Sequence, residues 1–403
     1  MKKFILLFII FSQHFIFSQW FIVNHISNYE FYSVFFTSNT VGCVGGNQNG
    51  VIFKTTDSGS NFVSVPTGTN IWFLDIYFLN QQTGYACGQN GYIVKTTNGG
   101  QSWSMIYQAA NFMHSIRFVD QNTGYCVGFT HVYKTINAGV TWNMMPNNYS
   151  NYLLGTSFVN SNTGFICGDG GLVARTTDGG LSWQTMLSGG SDYFEEIVMT
   201  NANTGYVAGK FGRVLKTTNG GSFWFAQNTT TNDWLLDLYF INSSSGWACG
   251  MNGRIVYTAN GGDSWATQYV PTISTIRQIH FLTTDTGYAV TDNGMILKTY
   301  NAGNPIGIIQ LNTETPDKYS IKQNFPNPFN PSTNMQFSLP KSSFVTLKVY
   351  DNIGQEVALL INQNMSSGNY EYKFDAGTLG SGIYYYRISA NGFTETKKMI
   401  LIK

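Results

Sequence analysis

KTTNGGQSW, Lys95 to Trp103, recurs along the first three quarters of the chain. Copies begin at Lys54, Lys134, Arg175, Lys216, Tyr257 and Lys298, so the starts from Lys54 onward are 41, 39, 41, 41, 41 and 41 residues apart. A fixed period in this range marks a repeat architecture, one small unit used many times. Upstream of each copy lies a second landmark: TGYACG at Thr83, TGYCVG at Thr123, TGFICG at Thr163, TGYVAG at Thr204, SGWACG at Ser245 and TGYAVT at Thr286. A degenerate first copy, TVGCVG, begins at Thr40. An apolar run precedes each landmark, such as WFLDIYFL from Trp72 and WLLDLYFI from Trp234.

Each unit therefore reads as four short strands separated by glycine or asparagine turns. In the second unit they fall at Trp72–Leu79, Gly84–Gly88, Tyr92–Thr97 and Ser102–Tyr107. Four antiparallel strands in about 41 residues are the blade of a β-propeller, and seven copies make seven blades. Long helices are excluded, because no segment sustains a 3.6-residue apolar period before a glycine interrupts it.

The residue types of the motif follow from a turn. Asn98, with Asp57, Asn137, Asp178, Asn219, Asn260 and Asn301 in the other copies, accepts hydrogen bonds from nearby backbone N–H groups as Asx turns do. Gly100 supplies the positive φ of a tight, bulged hairpin. Trp103, like Trp142, Trp183, Trp224 and Trp265, starts the outer strand and buries a large ring. In this wording, T-x-[DN]-x-G-x-x-W, the unit resembles the Asp-box, or BNR, repeat. The whole stretch from about Trp20 to Leu311 is similar to propellers of the photosystem II stability/assembly factor type. That resemblance implies an all-β, seven-bladed ring.

Phase predicts how the ring closes. The seventh copy has Ile306 where five of the other six carry Trp and the first carries Phe62. Trp20 lies 42 residues before Phe62, in the phase of an outer strand. Trp20–Asn24 is thus expected to complete blade seven, joining the two ends of the ring and covering an open edge.

The chain has 403 residues, a net charge of +1, 11% charged and 16% aromatic residues, and 43 glycines. Low charge with many aromatics and glycines suits short strands joined by tight turns. Near-neutral charge offers no footprint for nucleic acid or an anionic membrane. Lys2 and Lys3 followed by the apolar run Phe4 to Phe17 predict a signal peptide over residues 1–18, cleaved after Ser18. No later stretch reaches 18 apolar residues, so no transmembrane segment is expected in the mature chain.

Cys87, Cys167 and Cys249 occupy a landmark position that other copies fill with Val127, Ala208 and Val290. Such interchange reads as small buried apolar residues. One bridge, Cys87 to Cys126, stays open on spacing. No CxxC or HxH spacing calls for a metal, and no motif calls for a cofactor.

The expected domains are residues 19–311 for the ring, 312–320 for a polar linker and 321–403 for a second module. QNFPNPFNPST, Gln323 to Thr333, forbids helix through its three prolines. The alternating runs after it suggest a small Ig-like β-sandwich. This tail resembles the C-terminal sorting domain of Bacteroidetes-type proteins exported by the type IX secretion system. The matching residues are Phe325, Pro326, Asn327, Pro328, Phe329, Asn330 and Pro331, then Val349-Tyr350-Asp351 with Gly354, Gly382 with Tyr384, and Lys397-Lys398 before the apolar end. The resemblance implies passage through the periplasm, recognition by the outer-membrane translocon and its sorting protease, and a secreted or surface-attached product.

Propellers bind ligands at the face formed by inner-strand starts and second-to-third-strand loops. One recurring inner position, nine residues before each landmark glycine, is polar or glycine: Asp75, Ser115, Gly155, Glu196, Asp237 and Gln278, with Ser33 in the first copy. These residues are expected to line the channel and contact water. Blades five to seven add Tyr193, Glu195, Trp234 and Arg277 on inner strands, with Arg213 and Arg254 in equivalent loops. Aromatic platforms beside arginines and carboxylates suit a glycan or protein ligand. Asp-box repeats also occur in sialidases, whose family uses three clustered arginines, so a glycoside hydrolase built on Glu196 and Asp237 is the alternative. The sialidases' arginine-bearing N-terminal motif is absent here. An assembly-factor-like scaffold is a third class. The expectation is a binding module with no catalytic residues.

Overall fold

The computed structural model describes residues 20–47, 50–190, 192–300, 302, 308–312, 315–376 and 379–402. The expected signal peptide, residues 1–18, lies outside them. The chain divides into two compact units, Gln19–Gly303 and a second containing Asn304–Lys403.

The first unit holds seven four-stranded antiparallel sheets. In blade 2 the strands are Phe73–Phe78, Gly84–Gly88, Tyr92–Thr96 and Ser104–Gln108, paired in chain order. Between the last two, Thr96 and Asn98 build the turn. The Asn98 and Gly100 N–H groups donate to Thr96 Oγ1 at 3.3 and 2.9 Å, and Ser102 N–H donates to Asn98 Oδ1 at 3.0 Å. Gly100 has φ +80°, a conformation that a side chain would strain.

Neighbouring blades are stitched together by the remaining motif residues. The landmark aromatic of one blade stacks on the inner-strand Phe of the next: Tyr85 on Phe118 at 3.9 Å, Tyr125 on Phe158 at 3.5 Å, Tyr206 on Phe240 at 4.0 Å and Trp247 on Phe281 at 3.5 Å. The lysine of KTT reaches the same turn of the next blade, Lys95 Nζ donating to Ala138 O at 2.8 Å and Lys134 Nζ to Gly179 O at 3.0 Å. Tyr288 of blade 7 stacks on Phe36 of blade 1 at 3.4 Å, so the junction between last and first blade has the same chemistry as the others.

Blade 7 draws on both ends of the ring. Its strands are Ile276–Phe281, Gly287–Thr291, Met295–Thr299 and, outermost, Phe21–His25. Trp20 is fully buried and meets Phe281 edge-on at 5.8 Å and 86°. Trp103 meets Phe78 at 5.8 Å and 79°, so Trp20 fills the place that the motif tryptophan fills elsewhere. The five cysteines are buried free thiols, Cys87 and Cys126 included.

The second unit packs two four-stranded sheets around one core that includes Met335, Phe337, Leu347, Tyr386 and Met399. Strand Ile308–Asn312 pairs with Gly368–Asp375 and belongs to this unit. The boundary at 311 read from the sequence is therefore corrected to lie between Gly303 and Asn304. The repeat phase runs past its last structural use, because the outer strand it announces after Thr299 is supplied by Phe21–His25. The proline run folds onto the sandwich: Phe329 is buried, and Asn327 Oδ1 accepts from Ile400 N–H at 2.9 Å. Buried Asn324 reaches Thr333 Oγ1 at 2.9 Å through its amide nitrogen.

Candidate functional site

At the end of the ring where the inner strands start, a cavity of about 640 Å³ opens around the axis. Local geometry explains its lining. In six of the seven inner strands the register slips by one residue, between Phe73 and Asp75 in blade 2 and between Phe194 and Glu196 in blade 5. A β-bulge re-aims the side chain it inserts. Under strict alternation Glu195 and Glu196 would face opposite sides of the sheet, yet both line the cavity, as do Leu236 with Asp237 and Arg277 with Gln278. The bulges place Glu195 and Arg277 in the mouth.

Above them stands a set of aromatic rings from successive blades: Trp72, Phe112, Tyr152, Tyr193 and Trp234, joined by Tyr32 of blade 1. Each of the five lies 16 residues before the last glycine of its landmark. That glycine is required by close approach. A Cβ on Gly88, Gly209 or Gly250 would lie 1.8–1.9 Å from the carbonyl oxygen of Trp72, Tyr193 or Trp234. Trp72, Phe112 and Tyr152 are 41%, 42% and 46% exposed, and they differ from scattered exposed rings such as Phe223 in lining one cavity together. Tyr193 and Trp234 meet edge to face at 5.4 Å, and Tyr32 stacks on Trp72 at 6.1 Å.

The floor is charged and buried. Arg117 forms an ion pair with Asp75, and its Nη2 lies 3.5 Å from Glu196 Oε2. Burial works to lower the Arg117 pKa, but Asp75, Glu196 and Asp237 outweigh it and hold the guanidinium charged. Burial pushes Glu196 well above the usual carboxylate range and Asp237 up to about 6. Glu195 is raised to about 7, again by burial, against the opposing pull of Arg277. Asp75 Oδ2 accepts from Ile116 N–H of the next blade at 2.9 Å, Asp237 Oδ2 from Ile279 N–H at 2.8 Å, and Gln278 Oε1 from Val34 N–H at 2.7 Å. A second cavity of about 270 Å³, lined in part by Tyr77, Tyr239 and His280, shares Asp75, Asp237 and Gln278 with the mouth. The polar inner position was expected to meet channel water. At these three residues it clamps the next inner strand, because a backbone N–H on that strand needs an acceptor.

Residues 323–403 match the family described as the secretion system C-terminal sorting domain. Residues 134–228 and 222–323 match the photosynthesis system II assembly factor YCF48 family. The chain is an Asp-box propeller with a type IX sorting tail. The solved structure of YCF48 bound to D1 peptide aligns at TM-score 0.60 and 17% identity, covering 72% of this chain and 99% of that one. YCF48 from Cyanidioschyzon merolae aligns at 0.58 and 17%, covering 70% and 98%. PorZ, described as an essential bacterial surface component of the type-IX secretion system of Porphyromonas gingivalis, aligns at 0.57 and 10%. It covers 93% of this chain and 59% of that one. At such identities the likeness is one of fold. No curated protein matches the sequence.

Of the residues read from the sequence, Tyr193, Glu195, Glu196, Trp234, Asp237 and Arg277 come together around the propeller's mouth. Arg213 and Arg254 do not line it; they pair with Asp192 and Asp233 on the loops, Arg254 Nε at 2.7 Å. Only Arg277 of the three arginines is therefore in the mouth, and a three-arginine cluster is not assembled there. Sequence reading missed Trp72, Phe112, Tyr152, Tyr32 and Arg117. The 16-residue spacing to the landmark glycine was a usable signal for the first three. Among the described residues no group of three His, Cys, Asp or Glu is placed to hold a metal ion. No described helix is long and apolar enough to cross a membrane.

The raised Asp237 pKa carries a pH dependence. A carboxyl that holds its proton more tightly when folded makes stability fall as pH rises from about 4, its ordinary value, to about 6. Asp237→Asn should make that fall shallower, read as the difference between wild-type and variant urea unfolding at pH 4 and pH 7.5.

Proposed function

We propose that this protein is an exported binding module whose axial mouth holds a segment of an extracellular glycan or protein. The observation that carries the reading is the half-exposed set of aromatic rings around a cavity of about 640 Å³. Rings presented to solvent at a concave site supply large contact area at small ordering cost, and a few polar groups between them set orientation. The YCF48 structure with a bound D1 peptide offers a precedent for a ring of this fold binding a peptide. The sorting tail supports delivery of the site to the cell surface or medium. The signal peptide would take the chain to the periplasm, and the translocon and its protease would read the tail.

Trp234 is the residue to test, since it is only partly buried and its loss leaves the blade core intact. On a glycan and peptide array the wild-type chain should retain specific ligands, and Trp234→Ala should weaken them roughly tenfold or more. Equal binding by the variant would remove the mouth from the reading. Release of reducing ends by wild type, abolished by Glu196→Gln, would favour the glycoside hydrolase instead.

A further inference from the structure

Two of the aromatic rings that line the mouth already hold a cation, and that cation belongs to the chain itself. Lys210 Nζ lies 4.5 Å from the centroid of Tyr193 and 4.4 Å from that of Trp234. An ammonium over two ring faces is attracted by both quadrupoles, most strongly where water is excluded. Lys210 reaches this place from the short turn Lys210–Gly212, where blades 2 and 6 carry Gln89 and Met251. Among the described residues its ammonium forms no salt bridge, whereas Arg213 and Arg254 nearby are tied to carboxylates. No described carboxylate lies within ion-pair distance of its ammonium, and Glu195 attracts it only at longer range, so the flexible four-carbon stem can swing away when another cation takes its place.

Charge around the mouth points the same way. With Arg213 and Arg254 neutralised by Asp192 and Asp233, the surrounding strands and loops keep Glu30, Asp169, Glu195 and Asp292 against Lys210 and Arg277. If Lys210 leaves, Glu195 loses one of the cations that favour its ionised form, and the Tyr193–Trp234 pair stands beside it with Glu30, Asp169 and Asp292 outnumbering Arg277, inside a chain whose overall charge is +1. An anionic group would enter against that excess, and a neutral sugar would leave it uncompensated. A basic side chain satisfies rings and carboxylate together.

We propose that the Tyr193–Trp234 pair and Glu195 form a subsite for the lysine or arginine side chain of an extended peptide, and that Lys210 is an internal occupant displaced when that side chain enters. This rests on the reading of the mouth as a binding site and names its ligand chemistry.

The test is isothermal titration of the full exported chain with tri-lysine, tri-arginine, tri-glutamate and cellotriose. Tri-lysine and tri-arginine should bind, more weakly as salt is added. Glu195→Gln should weaken them about tenfold, and Lys210→Ala should tighten them severalfold because the internal competitor is gone. Thermal melting of both variants checks that the ring is intact. Trp234-dependent binding of cellotriose or tri-glutamate without binding of the basic peptides would overturn this inference and leave the binding mouth standing. No binding of basic peptides to wild type or Lys210→Ala also overturns it. Weaker binding by Lys210→Ala would show that Lys210 assists the ligand and so overturn displacement. Failure of the whole array in the preceding section would remove the mouth itself.

Discussion

Deletion of residues 19–25 is expected to lower the melting temperature by roughly 10 °C or more, and Trp20→Ala alone should cost about 3–5 kcal/mol. Trp20 is fully buried, stands edge-on to Phe281, and donates from Nε1 to Gln268 Oε1 at 2.9 Å. Gln268 in turn donates to Ala302 O at 2.6 Å, so removing the indole leaves a cavity and an unpaired amide oxygen. The deletion goes further, because the strand pairs Phe21 with Lys298 and His25 with Met295 across the gap between chain ends. Without it, Met295–Thr299 becomes an open edge. Calorimetry of the deleted chain reads the loss, and size-exclusion chromatography should show association through that edge. A melting temperature unchanged from wild type would show that the ring does not depend on this strand.

Arg117→Met is expected to destabilise the ring by about 3–5 kcal/mol at pH 7.5. The side chain is the cation facing Asp75, Glu196 and Asp237 in the buried floor. Removing it leaves carboxylates desolvated and mutually repelling, and they respond by taking up protons. The deficit relative to wild type should therefore shrink as the pH falls towards 5. Denaturant unfolding of both proteins at the two pH values measures it. A pH-independent deficit would mean that Arg117 acts through packing alone. The same substitution should disturb the mouth, since Asp75 and Glu196 line it.

Much of the fold was legible because each blade is made by nearby residues. Asn98 and Thr96 are two positions apart, and the turn they build depends on no other blade. The tail was legible for the same reason, through a run of prolines and glycines. Closure was legible through a defect, the missing tryptophan at Ile306 and the surplus one at Trp20. The boundary at 311 was misread because period continues where pairing does not.

The site was legible only in part. Tyr193, Glu195, Glu196, Trp234, Asp237 and Arg277 could be set on inner strands by phase, but phase does not say which way a residue points. Glu195 enters the mouth through a one-residue slip in register that composition does not announce. Arg213 and Arg254 share a phase with each other, and local carboxylates draw both away.

The sequence by itself determined seven blades, their turns, the aromatic ring that starts each outer strand and the sorting tail, since these are short-range patterns repeated. The tertiary structure alone decided what the ring's axis is made of. Gln278 reaches Asp75 at 3.1 Å although 203 positions separate them, and Arg117 meets Glu196 from two blades away. Closing a ring brings the inner strand of every blade to one axis, and the charges gathered there are balanced among blades and not within any one of them.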